Sequence, residues 1–251
     1  MKIVRMRLAG EEIAYGAVEP EGIRLHRGTP FVAWEPTETL VPFGEMHLLA
    51  PVFPTKVVGI GRNYADHAAE MGGTPPERPL MFLKPTTALI GPDDVIVLPP
   101  ESSEVHYEAE LAVVIGRMCR RVPADEAASV VLGYTCANDV TARDLQRSDG
   151  QWTRAKGFDT FCPLGPWIDT DLDPADVLVE CEVNGVTVQS ASTATLIHSV
   201  PALVEAVSAV MTLLPGDVIL TGTPAGVGPL VAGDEVSVTV AGLGTLVNKV
   251  R

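Results

Sequence analysis

Two glutamates lie two residues apart inside an otherwise apolar run, and their spacing suggests chemistry. Residues 105–116 are rich in alternating and β-branched side chains and end at a glycine, which predicts a strand. Side chains two positions apart on a strand point to the same face, so Glu108 and Glu110 are predicted to lie side by side. Buried like charges are costly unless they are paired or metal-bound, and a divalent cation is the simplest partner for them.

A third carboxylate could join this pair. Asp139 ends another predicted strand, at residues 134–140. Three carboxylate oxygens with water suit a hard cation, with Mg²⁺ first and Mn²⁺ or Ca²⁺ as further options. From spacing alone, a solvated face of an edge strand remains the alternative, because most acidic pairs behave in that way.

A histidine and a glutamate lie three residues apart on a short predicted helix at residues 65–71. His67 and Glu70 can therefore meet on one face of that helix. A carboxylate beside an imidazole orients the ring and raises its basicity, which suits a general base acting on water. The alternative is an ordinary surface pair.

Two cationic positions and a glycine-rich loop complete the candidates. Arg143 could form a fork onto a substrate carboxylate, and Lys156 could stabilise an oxyanion or enolate. The loop at residues 221–228 follows a predicted buried strand, and its backbone N–H groups could approach an anion. Ordinary surface charge and a plain turn are the respective alternatives.

The composition predicts many short strands. Of 251 residues, 46% are hydrophobic, and the 23 glycines and 21 prolines separate short apolar runs. Residues 1–50 are interpreted as a small N-terminal β module and residues 51–251 as the main domain. Asn184-Gly185 predicts a hairpin, and the apolar spacing over residues 200–214 predicts the one long helix.

The charge balance excludes several partners. A net charge of −14 argues against nucleic acid and anionic membranes. There is no apolar stretch of 18 residues, the first residues lack the apolar core of a signal peptide, and the four cysteines have no CxxC spacing. These features predict a cytoplasmic protein with reduced thiols. Phosphate-loop, dinucleotide-binding and serine-hydrolase motifs are absent.

Taken in chain order, these segments resemble the fumarylacetoacetate hydrolase family, in its short branch with a single catalytic domain. The resemblance covers about residues 50–250. Each block alone is weak, but six blocks in the family's order are highly specific. The blocks are Gly61-Arg62-Asn63-Tyr64 with His67, Phe82-Leu83-Lys84-Pro85, Glu108-Ala109-Glu110, residues 138–146, Lys156-Gly157-Phe158-Asp159, and Thr221-Gly222-Thr223-Pro224.

The resemblance implies a mixed, mainly β fold, a β-sandwich roll with a few short helices, usually assembled as a homodimer. It implies Mg²⁺ or Mn²⁺ bound by Glu108, Glu110 and Asp139, and a water-activating dyad of His67 and Glu70 on a segment that can act as a lid. Matching positions line the family's substrate pocket, and a lysine of less defined role lies near it. These residues are Lys156, Arg143, Gln146, Thr223 and Lys84.

The implied activity is metal-dependent chemistry on a small 2-oxo or 2,4-dioxo acid through a metal-bound enolate. Two outcomes are favoured: C–C bond hydrolysis of an acylpyruvate, or enol–keto isomerisation as in aromatic catabolism. Decarboxylation of oxaloacetate, hydration of a 2-hydroxydienoate, and a catalytically silent metal-binding scaffold are the alternatives. The sequence does not discriminate among the enzymatic outcomes, since all but the hydration share one intermediate.

Overall fold

The computed structural model describes residues 1–9, 11–70, 72 and 74–251. Strands dominate these residues, as the glycine and proline spacing predicts, and the predicted mainly β fold class is confirmed. The strands are β1 (Lys2–Arg7), β2 (Ile13–Glu19), β3 (Gly22–Thr29), β4 (Ala33–Val41), β5 (His47–Leu49), β6 (Val57–Gly61), β7 (Leu80–Lys84), β8 (Leu89–Ile90), β9 (Val95–Ile96), β10 (Val105–Tyr107), β11 (Ala109–Ile115), β12 (Val131–Asn138), β13 (Thr141–Ala142), β14 (Cys162–Asp169), β15 (Leu178–Val183), β16 (Val186–Ser192), β17 (Val218–Leu220), β18 (Gly228–Pro229), β19 (Glu235–Val240) and β20 (Gly244–Val250).

Helices are short and few. The α-helices are α1 (Ala65–Glu70), α2 (Arg143–Asp149), α3 (Thr153–Lys156) and α4 (Val200–Val210), and the 3₁₀ helices are Thr86–Ala88, Ala124–Ser129 and Thr193–Thr195. No helix in the described ranges has the length and apolar character that a membrane crossing requires. The last residue of the predicted helix at 65–71 lies outside the described residues.

The described residues form three sheets. The largest has the order β4-β3-β2-β1-β14-β12-β11-β17-β6-β7, with β5 beside β1 and β8 beside β14. A five-stranded sheet has the order β16-β15-β19-β20-β9, and a small one joins β13, β10 and β18. Strand β1 pairs with β14 through Ile3 and Ile168, so the N-terminal strands extend the main sheet. The boundary near residue 50 stays a prediction.

Strand β11 crosses the centre of the core. All of its residues are buried, because both faces of the main sheet are covered. Leu111 and Val113 pack in the cluster that contains α4 and the five-stranded sheet, whereas Ala112 and Val114 pack in the cluster on the opposite face. The result is a sandwich whose central strand carries Glu110.

Two predicted elements are shorter than expected. The prediction of one strand over residues 105–116 is wrong, because the chain leaves the small sheet at Tyr107 and joins the main sheet at Ala109. At the break, the Glu108 N–H donates to Asn138 Oδ1 (2.9 Å) and the Glu108 carbonyl accepts from the Asp139 N–H (2.9 Å). Glu108 therefore lies in the junction between two strands.

The predicted helix over residues 200–214 ends at Val210. Met211 is extended, and Leu213 exchanges backbone hydrogen bonds with Cys119, so the chain after Val210 pairs with another segment. The predicted hairpin is confirmed: Asn184 and Gly185 have φ of 52° and 76° and join β15 to β16.

Candidate metal and active site

Three buried carboxylates converge where β11, β12 and β17 adjoin. Strand β11 is antiparallel to both neighbours, so its first residues lie beside the last residues of the other two strands. Glu110 is therefore next to the segment that carries Asp139, and Glu108 precedes it at the strand break. One oxygen of each carboxylate lies within 4.8 Å of the others, and all three side chains are buried.

Three buried cations surround two of these carboxylates. Lys156 Nζ donates to Glu108 Oε2 (2.8 Å) and to Asp139 Oδ2 (2.6 Å). Lys84 Nζ donates to Asp139 Oδ1 (2.6 Å), and Arg143 Nη2 donates to Glu108 Oε1. Each oxygen of Glu108 and Asp139 thus accepts a charged hydrogen bond, which is the condition under which buried ions are tolerated.

The charges also shift the acid–base properties of this group. Burial raises the pKa of Glu108, but Lys156, Arg143 and His67 outweigh it and hold that pKa well below its usual value. Burial lowers the pKa of Lys156, but Asp139 and Glu108 raise it above its ordinary value. Lys156 is therefore a permanent cation beside the carboxylates.

Glu110 differs from its two neighbours. Its Oε2 accepts the Gly222 N–H (2.6 Å), a contact for which Gly222 adopts a φ of 100°. Across the described part of the chain it contacts no cationic side chain. Burial, Asp139 and Glu108 raise the pKa of Glu110 well above its usual value.

A buried hydroxyl without a hydrogen-bond partner lies in the field of this carboxylate. Tyr64 is 3% exposed, its hydroxyl has no partner among the described residues, and burial together with the charge of Glu110 raises its pKa. An uncompensated carboxylate, two further carboxylates and an orphaned hydroxyl fit a hydrated hard cation such as Mg²⁺. The donor set excludes the soft thiolate chemistry of a zinc–cysteine site.

Lys84 shows that the main sheet curls. Three strands separate β7 from β12, so a flat sheet would hold them about 19 Å apart, farther than a lysine side chain reaches. The Lys84–Asp139 contact at 2.6 Å requires the sheet to roll. The roll brings an edge strand to the carboxylate cluster and so helps to form the site.

The predicted dyad is formed in the structure. On α1, His67 Nδ1 lies 3.1 Å from Glu70 Oε2, and Glu70 Oε1 accepts the Gly226 N–H (3.1 Å). Glu70 therefore orients the imidazole and ties α1 to the loop after β17. With Nδ1 engaged, Nε2 is the nitrogen available to a bound molecule. The base role of this pair stays a prediction.

A cavity of about 310 Å³ brings most of the candidates together. Its volume suits a small ligand. Of the ten predicted site residues, all except Glu70, Lys84 and Asp139 border it. Glu70 and Asp139 each contact a residue of the wall, and Lys84 contacts Asp139. The wall also includes Arg62 and Trp152, which are not among the predicted site residues.

The predicted substrate-binding residues already have protein partners. Arg143 Nη1 donates to Gln146 Oε1 (2.6 Å), whereas the buried Arg143 Nε has no partner within the described ranges. Thr223 Oγ1 donates to the Ala109 carbonyl (2.9 Å) and accepts from Gln189 Nε2 (2.9 Å). Substrate binding by these side chains stays a prediction.

Sequence reasoning missed two amides that position the carboxylates. Asn138 orients the backbone of Glu108, and Gln189 Oε1 accepts the Ala109 N–H (3.0 Å) while its amide also reaches the Pro224 carbonyl (2.8 Å). Asn138 lies in a family block beside Asp139, a signal that could have found it. Gln189 carries no local signal, because its partners are more than 30 residues away.

An aspartate on α2 fixes the helix that carries Arg143 and Gln146. Partial burial raises the pKa of Asp144, but hydrogen bonds from Ser102, Ser103 and Leu145 outweigh it and lower that pKa to about 2. This carboxyl stabilises the fold above its unfolded pKa of 3.8 and loses that contribution as the pH falls toward 2.

We expect Asp144→Asn to lower the free energy of unfolding by about 1 kcal/mol near neutral pH, after allowance for solvent screening of a partly exposed group. The deficit should shrink as the pH falls from about 4 toward 2. Urea unfolding of both proteins across that range measures it. A deficit that is independent of pH would show that the hydrogen bonds do not depend on the charge.

Comparisons with known proteins agree with this architecture. The family model described as "Fumarylacetoacetate (FAA) hydrolase C-terminal" matches residues 56–251, and the model "Rv2993c-like, N-terminal" matches residues 1–51. Protein Rv2993c of Mycobacterium tuberculosis is 61% identical over 212 residues, covering 83% of this chain and 80% of the relative.

Two further relatives carry names that describe a reaction. The solved structure of 5-carboxymethyl-2-hydroxymuconate delta-isomerase from Mycobacterium smegmatis is 52% identical, with a TM-score of 0.93 over 100% of this chain and 99% of that one. The mitochondrial oxaloacetate tautomerase Fahd2a of Rattus norvegicus is 45% identical over 223 residues, covering 84% of this chain and 71% of the relative.

Proposed function

Since this chain belongs to the fumarylacetoacetate hydrolase family, we propose that it is an enol–keto isomerase of a small 2-oxo acid and depends on Mg²⁺ or Mn²⁺. The reaction moves one proton between the enol oxygen at C2 and a carbon of the same molecule. One observation carries the proposal: His67, Lys156 and two of the three clustered carboxylates, Glu108 and Glu110, border one cavity. The reactions named for the isomerase and tautomerase relatives support it.

The carboxylates of Glu108, Glu110 and Asp139 are the residues that would hold the metal. A divalent cation bound there supplies Lewis acidity toward the keto oxygen of the substrate. Lys156 places an ammonium beside the same carboxylates, where it stabilises negative charge that develops on the C2 oxygen. Although burial opposes it, Asp139 and Glu108 favour the positively charged form of Lys156 and raise its pKa.

His67 moves the proton. In the tautomer whose Nδ1–H donates to Glu70, Nε2 carries the lone pair that removes a proton from the substrate and returns it at the other position. Because the same imidazole removes the proton and returns it, the reaction releases no net proton.

C–C bond hydrolysis of an acylpyruvate is the second candidate function. It is favoured by the same His67–Glu70 contact, because an oriented imidazole can also activate a water molecule. Decarboxylation of oxaloacetate would require the same carboxylate cluster and Lys156 but no base.

A product assay separates these reactions. We expect the purified protein with Mg²⁺ to accelerate loss of the enol form of oxaloacetate, and EDTA to abolish the acceleration. Pyruvate measured in parallel should not rise above its spontaneous rate. Pyruvate with acetate from acetylpyruvate would indicate hydrolysis, and pyruvate with CO₂ from oxaloacetate would indicate decarboxylation. Water addition to a 2-hydroxydienoate would indicate a hydratase, and no EDTA-sensitive turnover would support a silent scaffold.

The proposal includes a cytoplasmic homodimer, as is usual for the family. Light scattering coupled to size-exclusion chromatography measures the mass of the protein in solution. A mass equal to one chain of 26.6 kDa would contradict the homodimer.

A further inference from the structure

One arginine at the cavity differs from the other cations there. Arg62 follows β6 directly and borders the cavity together with Arg143, Arg147 and Lys156. Arg143 and Lys156 are bound to Glu108, and Arg147 Nη1 donates to a Glu104 oxygen (3.3 Å). Among the residues that the structure describes, Arg62 alone of these four has no ion-pair or side-chain hydrogen-bond partner.

The backbone of Arg62 adopts a conformation that an arginine rarely takes. Its φ is 57°, in the left-handed region that glycine and asparagine occupy more readily. Such a residue persists only where its surroundings determine its position, and these outliers concentrate at functional sites. Arg121, away from the cavity, has a similar φ of 53°, so what distinguishes Arg62 is its position in the cavity wall.

Both flanking residues hold Arg62 in position. Asn63 is buried, and its Nδ2 donates to the carbonyls of Thr221 (2.8 Å) and His198 (3.0 Å). Gly61 packs so closely on Trp152 that a Cβ at this position would lie 2.6 Å from the indole ring. The two anchors fix the chain on either side of Arg62, at the same end of β6 and β17 as the carboxylate cluster.

We propose that Arg62 binds the distal carboxylate of a dicarboxylic 2-oxo acid, an inference that rests on the proposed function. The 2-oxo acid end belongs at the carboxylate cluster and Lys156, which leaves the other end of a substrate to the remaining wall of the cavity. With no ion-pair or side-chain hydrogen-bond partner in the described ranges, the Arg62 guanidinium presents paired N–H donors that match a carboxylate. Arg62 is thus the specificity-determining residue that separates diacids from 2-oxo acids with a neutral end.

The test compares matched substrates and matched variants. Arg62→Asn removes the guanidinium and retains a residue that tolerates a positive φ. The control is Arg121→Asn, because Arg121 is exposed, lies outside the cavity wall and has a φ of 53°. The substrates are enol oxaloacetate and its 4-methyl ester, which share a skeleton and differ in the distal charge.

We expect Arg62→Asn to raise KM for oxaloacetate roughly 10- to 100-fold, the range for loss of a hydrogen bond between charged groups, with kcat changed far less. The KM for the methyl ester should change less than about threefold. Arg121→Asn should behave as the wild type with both substrates. An equal loss with both substrates, or no loss with oxaloacetate, would overturn the inference.

A binding measurement separates this inference from the proposed function. The stable diacid 2-oxoglutarate and its 5-methyl ester are titrated calorimetrically into the Mg²⁺-supplemented protein. Arg62→Asn should remove the preference for the diacid, whether or not the wild type turns over oxaloacetate. A wild type that binds both compounds equally would refute the role of Arg62 and leave the proposed isomerisation standing. Absent turnover with a selective loss of diacid binding would refute only the isomerisation.

Discussion

Glu110→Gln is expected to lower kcat/KM by about three orders of magnitude. Glu110 is the one carboxylate of the cluster without a cationic partner in the described residues, so it offers the metal the least compensated negative charge. Glutamine has nearly the same shape but no charge. Loss of a metal ligand removes several kcal/mol of charge stabilisation, which corresponds to a rate factor of about 10³.

The same substitution should leave the metal-free fold intact. Because burial and two neighbouring carboxylates raise the pKa of Glu110, the charged form is unfavourable without a cation, and the amide removes that penalty. We therefore expect metal-free Glu110→Gln to be at least as stable as the metal-free wild type.

Thermal unfolding with and without Mg²⁺ or Mn²⁺ measures both effects. The wild type should gain stability as the metal concentration rises, since a ligand that binds only the folded state stabilises it, and Glu110→Gln should not. Glu126→Gln, an exposed site on a 3₁₀ helix, is the matched control and should respond as the wild type. An equal rise for Glu110→Gln would show that the metal is bound elsewhere.

His67→Ala is expected to lower kcat about 10²- to 10⁴-fold, the usual contribution of a general base. Its KM should change little, because the carboxylates and Lys156 that bind the 2-oxo acid are untouched. Added imidazole should restore part of the rate, since a small base can enter the space vacated by the side chain. Asp66→Asn, an exposed neighbour on α1, is the control and should be fully active.

Glu70→Gln keeps the imidazole of His67 but changes the hydrogen bond that orients it, so it tests the contribution of that orientation to the rate. A carboxylate accepts a hydrogen bond from Nδ1–H, whereas an amide group can donate to Nδ1 and so favour the tautomer with its proton on Nε2. In that tautomer His67 presents an N–H to the cavity instead of a lone pair, so it cannot accept the substrate's proton and the rate should fall. Added imidazole should not restore the rate, because the His67 side chain still occupies its place. Full activity in either variant would remove the dyad from the mechanism.

The sequence alone determined the chemistry available to this protein. The ordered blocks from Gly61 to Thr223 indicated the family and the mainly β fold, and both predictions are confirmed. Local patterns were sufficient for the Asn184-Gly185 hairpin and for a helix that begins at Val200, because turn geometry and helical periodicity involve residues close together in the chain.

Only the tertiary structure decided how the pieces meet. The strand over residues 105–116 divides at Glu108 because Asn138, thirty residues away, captures its backbone N–H. Lys84 reaches Asp139 because the sheet rolls. Gln189, on the five-stranded sheet, donates a hydrogen bond to the Thr223 hydroxyl. Arg62 is the one cavity cation without a protein partner in the described structure. It can be singled out only when the partners of the other three cations are known. Such contacts join residues far apart in the chain, and local patterns carry no information about them.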